Sequence, residues 1–367
     1  MLNCLRKCIP LLLAGLLFFA PAARADYDVR NDIDLAAAES VPSDARDLLG
    51  DIGVEDAPGF GEGLAEIFTS GLEQSGGSIR AGVRSVVVIL LIVIFCGVLT
   101  SLYPDGKTPR YIVLAGALAI TALTVADLRT FIGLGLESIR QADIFSKGLL
   151  ATLATAAAIG GEPASATVRH TITILFSDIL ITAISRFLVP VLYAYTAASA
   201  ADAAIGGDTL SRLANFLKWL CTAALGVLLT VFVAYLTISG VVAGNADALA
   251  VKATKLTLSG MVPVIGGIIG DAAETLLVGA RQIKNAIGVF GMLVVLATMF
   301  APFLRLAVQY ILFKAAAAVS QTLADARLTK LVDNLGSAFG IMLGMMGAVM
   351  LLFLISIVST ISIVAPG

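Results

Sequence analysis

The sequence predicts an all-α polytopic membrane protein: a helical bundle of about seven membrane segments, some short or broken, behind a small acidic extracytoplasmic N-terminal region. Three observations predict it. The chain is 58% hydrophobic and 14% charged, with a mean hydropathy of +0.96, where soluble domains run nearer half apolar and a quarter charged. Its charge-free runs exceed the roughly ten residues of a barrel strand and do not alternate, so helices must satisfy the backbone in lipid. Charge is also partitioned. Thirteen of the 26 acidic residues fall within 26–73 against two basic ones, Arg30 and Arg46, whereas from Arg80 onward 13 acidic residues face 19 basic ones.

Residues 1–25 read as a signal peptide. Arg6 and Lys7 precede an apolar stretch at 9–20, and Ala23-Arg24-Ala25 puts small residues at the −3 and −1 positions before Asp26. Pro10 and Pro21 leave little continuous helix for an uncleaved anchor. Cleavage places the mature N-terminus outside the cytoplasm.

The acidic region at 26–79 reads as one or two amphipathic helices broken by Pro42, Pro58-Gly59 and Gly76-Gly77. Ser43 caps a helix through Leu49, and Leu64, Ile67, Phe68 and Leu72 repeat at helical spacing. The region is too small for a core of its own. It reads either as a solvated linker or as a docking arm for an extracytoplasmic partner.

The polytopic domain, 80–367, divides by its charge-free runs. Spans at 85–102 and 111–126 flank a loop with Lys107 and Arg110, which the positive-inside rule makes cytoplasmic, although Arg80 and Arg84 then lie on the opposite side. The stretch 127–147 reads as an amphipathic surface helix, and 148–161 as a short, tilted or re-entrant segment. One or two helices fill 171–205, interrupted by Asp178, Arg186, Pro190 and Asp202. A long span at 219–243 starts at an interfacial Trp219, 256–270 is short and broken, and 286–304 is a clear span. The run 306–319 carries Lys314, and 335–365 is the longest uncharged stretch. At an offset of 118 residues, 210–217 aligns with 328–335, and the register extends to 186–243 against 304–361. The pattern reads either as an internal duplication or as coincidence in a chain rich in Leu and Gly.

Catalytic signatures are missing from the sequence. With a single histidine, His170, no His–His metalloprotease site can exist. Gly106-Lys107-Thr108 lacks the first glycine and the length of a phosphate loop. The Ser239-Gly240, Ser259-Gly260 and Gly270-Asp271 pairs lack the glycines that intramembrane serine and aspartyl protease motifs carry. The cysteines Cys4, Cys8, Cys96 and Cys221 have no metal-site or redox spacing, and no basic run suggests nucleic acid. The reading is a non-enzyme with no catalytic, metal or cofactor site. Ionisable groups at membrane depth are costly and therefore remain as candidates. Asp178, Thr182 and Arg186 form one stripe at four-residue spacing. A second group, Asp271, Glu274 and Arg281, follows a helix break formed by Pro263, Gly266, Gly267 and Gly270. That break is expected to be buried against other helices, with the three charged residues facing a polar cavity or a partner. Helices lying in the interface are the alternative for both groups.

Met261-Val262-Pro263-Val264-Ile265-Gly266-Gly267-Ile268-Ile269-Gly270-Asp271-Ala272-Ala273-Glu274-Thr275-Leu276-Leu277 and Lys284-Asn285-Ala286-Ile287-Gly288 closely resemble the stage III sporulation protein AE family. Thr237-Ile238-Ser239-Gly240-Val241 and Ala301-Pro302-Phe303-Leu304-Arg305 fit the same resemblance, which runs from about Arg80 to the C-terminus. It implies an endospore-forming bacterium and a multi-pass protein of the mother-cell membrane around the forespore. The partners implied are the other membrane and secretion-type subunits of the complex joining the two cells, a conduit or feeding channel. The family carries no assigned catalytic residues. The function expected is a membrane platform or export-gate-like subunit of that complex. A stand-alone small-solute transporter and a non-conducting scaffold are the alternatives.

Cleavage after Ala25 is the first expected outcome: the intact mass of the membrane-extracted protein should begin at Asp26, and a chain retaining Met1 or Leu2 would overturn the signal-peptide assignment.

Overall fold

In a computed structural model the structure describes residues 41–49, 60–103, 110–159, 163–238, 286–322 and 325–364. The signal peptide, Lys107 and the group Pro263, Gly266, Gly267, Gly270, Asp271, Glu274 and Arg281 lie outside the described residues. The described elements are all helical: α1 (Ser43–Leu49), α2 (Phe60–Ser101), α3 (Arg110–Ile159), α4 (Pro163–Ala183), a π-turn (Ile184–Leu188), α5 (Val189–Ile205), α6 (Asp208–Ile238), α7 (Ala286–Ser320) and α8 (Ala326–Val364). Among the described residues six helical stretches are long and apolar enough to cross a membrane. The broken run at 256–270 lies outside them.

Several expectations change. The helix α2 runs through Gly76-Gly77, where a break was expected. Each glycine costs about 1 kcal/mol against alanine in a helix, and packing on α7 from both sides of the pair offsets this. A Cβ on Gly71 would lie 2.4 Å from Phe300 Cε1, and one on Gly82 would lie 3.0 Å from Gln309 Nε2. The stretch 127–147 is not a separate surface helix, nor is 148–161 a re-entrant segment; 127–159 continues α3 without interruption. The runs 286–304 and 306–319 are likewise one helix, α7, passing through Pro302. The interruption at Pro190 is a π-turn and not a gap. Proline has no N–H to give and clashes with the carbonyl four residues earlier. One wider turn, with Val189 N–H bonding Ile184 O, accommodates it. The acidic region is not wholly a solvated linker, because α1 lies on α7 with Val41, Ala45, Leu48 and Leu49 buried.

The bundle is arranged around α8. Of its most apolar stretch 94% is buried, against 17% for α6, so α8 is central and α6 peripheral. Helix α8 packs on α7 above all, then on α3, α5, α4 and α6. Phe339 meets the rings of Phe313 and Phe131 at 5.0 and 5.9 Å. Glycines let α7 and α8 approach closely: a Cβ on Gly336 would sit 3.0 Å from Phe313 Cβ, and one on Gly340 would sit 2.8 Å from Tyr310 Cε2. Lipid provides no hydrophobic drive between helices, so such contacts carry the association. The segments 210–217 and 328–335 occupy the first turns of α6 and α8.

Helices α2 and α3 are longer than a bilayer is thick. At 1.5 Å per residue α2 measures about 63 Å and α3 about 75 Å, against roughly 30 Å of hydrocarbon. Their exposed faces divide accordingly. Val87, Leu91, Phe95, Leu114 and Leu118 are exposed where the helices meet at the 103–110 end, while Glu62, Glu66, Arg129, Glu137 and Arg140 are exposed further along.

Replacing Gly340 with Leu should overpack the α7–α8 contact at a cost of about 1–3 kcal/mol, seen as a lower thermal midpoint of the detergent-solubilised protein. Gly133→Leu, where nothing lies within 4 Å, should not lower it. Equal midpoints would contradict the packing described.

Candidate functional site

The site lies where the hairpins α5–α6 and α7–α8 meet, and it is built on one face of α8. Lys330, Asp333, Asn334 and Ser337 recur at helical spacing, a polar stripe about 10 Å long at the entry of an otherwise apolar helix. Ser211 and Lys218 of α6 are separated by the same two turns as Lys330 and Ser337 of α8. The two pairs exchange hydrogen bonds: Lys330 Nζ donates to Ser211 Oγ at 2.5 Å and Lys218 Nζ to Ser337 Oγ at 3.1 Å. This reciprocity requires α6 and α8 to run parallel and in register.

Ser337 is the hub. Its hydroxyl accepts from Lys218 and from Lys314 Nζ (2.9 Å), and donates to Asp333 O (3.0 Å). One donor and both lone pairs are thereby used. Lys314 also pairs with Asp333 Oδ1 at 2.6 Å, and Tyr195 Oη, from α5, donates to Asn334 O at 3.0 Å. Nearer the mouth, Lys330 pairs with Asp202 Oδ2 at 2.9 Å. The turn between the α5 and α6 helices depends on glycine. Gly206 has φ +76° and Gly207 φ +134°, conformations L side chains rarely adopt. A Cβ on Gly206 would meet Arg327 Nη1 at 2.8 Å, and Gly206 N–H closes α5 on Asp202 O at 2.9 Å. Under the turn is a cavity of about 310 Å³, bordered by Ser199, Asp202, Gly207, Arg327, Lys330 and Asn334.

Of the predicted residues, Asp178 and Arg186 are described. Asp178, on α4, pairs with Lys147 of α3 at 2.5 Å, and Lys147 also holds Asp143 at 2.7 Å. Thr182 and Arg186 share its exposed face, Arg186 lying within the π-turn. Neither Asp178 nor Arg186 reaches the α5–α8 site. Sequence reasoning missed the combination of Tyr195, Lys218, Asp333 and Ser337. Its visible signals were Lys314, alone in the apolar run 306–319, and Asp202, interrupting 171–205. Among the described residues no group of three or more His, Cys, Asp or Glu is placed to hold a metal.

The fold and the site define a polytopic helical membrane protein whose charged groups join its own helices. A family model for stage III sporulation protein AE matches residues 60–364, and the chain belongs to that family. Its role therefore lies in sporulation. Stage III sporulation protein AE of Bacillus subtilis (strain 168) is 22% identical over 272 residues, covering 73% of this chain and 68% of that protein. No solved structure matches the chain.

Ser337→Ala should remove the acceptor of Lys218 and cost about 1–3 kcal/mol, the penalty of an unsatisfied buried polar group. Lys218→Met in the same chain should recover most of it. A double-mutant cycle on thermal unfolding in detergent checks this, and additive losses would contradict the coupling.

Proposed function

We infer that the protein is the membrane platform, an export-gate-like subunit, of the channel complex between mother cell and forespore. It acts there through protein contacts and carries out no reaction. It lies in the mother-cell membrane around the forespore, with its mature N-terminus outside the cytoplasm. The observation that carries this reading is the length of α2 and α3: about 30 Å or more of each lies beyond a bilayer's thickness, with charged residues on its exposed face. That half offers contact surface in the space between two membranes, where a subunit bridging them needs it. The charges at the site favour the same reading. Lys218, Lys314 and Lys330 bond side chains of neighbouring helices, which holds the bundle together and gives a solute nothing to bind.

A stand-alone carrier of small solutes is the competing reading, favoured by the polar cavity of about 310 Å³. A scaffold with no conduit is the weaker one. Two measurements separate them. Purified from sporulating cells in mild detergent, the chain should retain other membrane subunits of the complex. Reconstituted alone in vesicles, it should give no small-solute flux above protein-free vesicles. Flux by the pure chain without retained subunits would overturn the platform reading.

A further inference from the structure

Arg80 and Arg84 are the cations that the positive-inside rule leaves unexplained, since they lie at the end of the first span away from Lys107 and Arg110. The structure gives them a neighbour and a depth. Ser85 Oγ donates to Asp127 Oδ2 at 2.6 Å, and Cys96 Sγ lies 3.9 Å from Ile112 O. Helices α2 and α3 therefore run antiparallel, with Arg84 level with Arg129. Arg80, Arg84 and Arg129 are all exposed, and none has a carboxylate in ion-pair range among the described residues. Of the carboxylates nearby on these two helices, Asp127 accepts from Ser85, Glu137 pairs with Arg140, and Glu73 stands about 10 Å beyond Arg80 along α2. Three guanidinium groups face the single carboxylate of Asp127 at this level, an excess of two positive charges.

The depth is that of lipid headgroups. From Arg110 to Arg129 the axis of α3 rises about 28 Å, against roughly 30 Å of bilayer hydrocarbon. Between those limits neither helix carries a charge, at 85–101 in α2 or at 111–126 in α3. The outer face there exposes Val87, Leu91, Phe95, Leu114, Leu118 and Leu123. Arg84 and Arg129 thus stand where hydrocarbon gives way to phosphate, and Arg80 lies about 6 Å further out. Below them, between the two helices, is an apolar groove of about 860 Å³, walled by Val88, Leu91, Ile92, Phe95, Ala115 and Ala119. Val88 lies one turn below Arg84 on the same side of α2, so the groove begins directly under the cation.

We propose that Arg84 and Arg129, with Arg80 beside them, bind the phosphate of an anionic phospholipid whose acyl chain lies in this groove. Charge selects the headgroup. A zwitterionic lipid brings its own ammonium group and leaves the positive excess in place, whereas a phosphodiester with an uncharged alcohol reduces it. Guanidinium groups suit that ligand, because their planar forks match phosphate oxygens two at a time. Depth selects a lipid over free phosphate. One leaflet holds about 15 Å of hydrocarbon, and over that distance below Arg84 a chain passes Val88, Leu91, Ile92 and Phe95. The site is independent of the platform reading and applies equally to a carrier.

The test uses the full-length chain purified in detergent and titrated with phosphatidylglycerol or phosphatidylcholine of the same acyl chains, bound lipid being counted by native mass spectrometry. Phosphatidylglycerol should bind about tenfold more tightly. Arg84→Gln together with Arg129→Gln should reduce that preference to about twofold or less, while Arg140→Gln, further along α3 and paired with Glu137, should leave it unchanged. If the double variant fails to accumulate, each single exchange carries the test and should lower the preference about threefold. Ala115→Trp, which fills the groove, should weaken the binding of phosphatidylglycerol with all three arginines intact. Glycerol phosphate, the headgroup without its chains, should not compete at equal concentration. Equal binding of the two lipids by the wild-type chain would overturn the proposal, as would a preference indifferent to the arginine exchanges. Competition by glycerol phosphate as strong as that of the lipid would overturn it too, by assigning the arginines to a free anion.

Discussion

The polar entry of α8 is the constraint on which the rest of the structure depends. A helix uncharged from 335 to 365 could sit in lipid, but one that begins with Lys330, Asp333 and Ser337 could not. Those side chains need partners, and α5, α6 and α7 supply them through Asp202, Ser211, Lys218 and Lys314. Ion pairs of this kind add little net stability, because desolvation consumes most of the Coulomb gain. What they fix is register. A shift of α6 along α8 by one turn would separate both lysine–serine contacts, so the two hairpins have one favoured alignment. Close packing at Gly336 and Gly340 then completes the α7–α8 contact.

That alignment determines how the molecule meets its surroundings. Holding the start of α6 level with Leu328 of α8, and thus with Gly116 of α3, raises the apolar part of α6 to the height of the charged part of α3. A carrier in equilibrium with a single bilayer needs one apolar belt at one height. Two apolar belts at different heights favour the platform reading over that of a carrier. The long α2 and α3, continuing with polar exposed faces past the thickness of a bilayer, fit the same requirement.

The fold class was legible because composition and uncharged runs state it directly. The six long apolar helices fall on the runs read from the sequence. What was not legible were element boundaries that depend on distant contacts. Gly76-Gly77 reads as a break by propensity, yet α7 holds the helix on both sides of it. The charges of 127–147 suggest a surface element, but Ser85 bonds Asp127 at 2.6 Å and Lys147 pairs across to α4, so the stretch stays part of α3. Pro190 marked an irregularity correctly, while its resolution as a π-turn follows from backbone geometry that spacing alone does not encode. The site was legible only in fragments. Lys314 and Asp202 stood out in apolar runs, but their partners Asp333 and Lys330 lie on a different helix from either, and no local pattern links them.

The location of the charges explains how one region holds the hairpins in register. Cations buried wholly within the bundle would need a carboxylate each, and the ion pairs formed here account for two, Asp333 and Asp202. Lys218 is held by a neutral hydroxyl of α8 instead, which orients its ammonium group inside the α6–α8 contact. A hydroxyl satisfies hydrogen bonding without neutralising charge. The arrangement therefore ties α6 to α8 by a hydrogen bond that only one register supplies. Register of that kind comes less from the number of contacts than from what a slipped alignment loses: one turn of displacement would leave the ammonium group of Lys218 without its acceptor, at the cost of its desolvation.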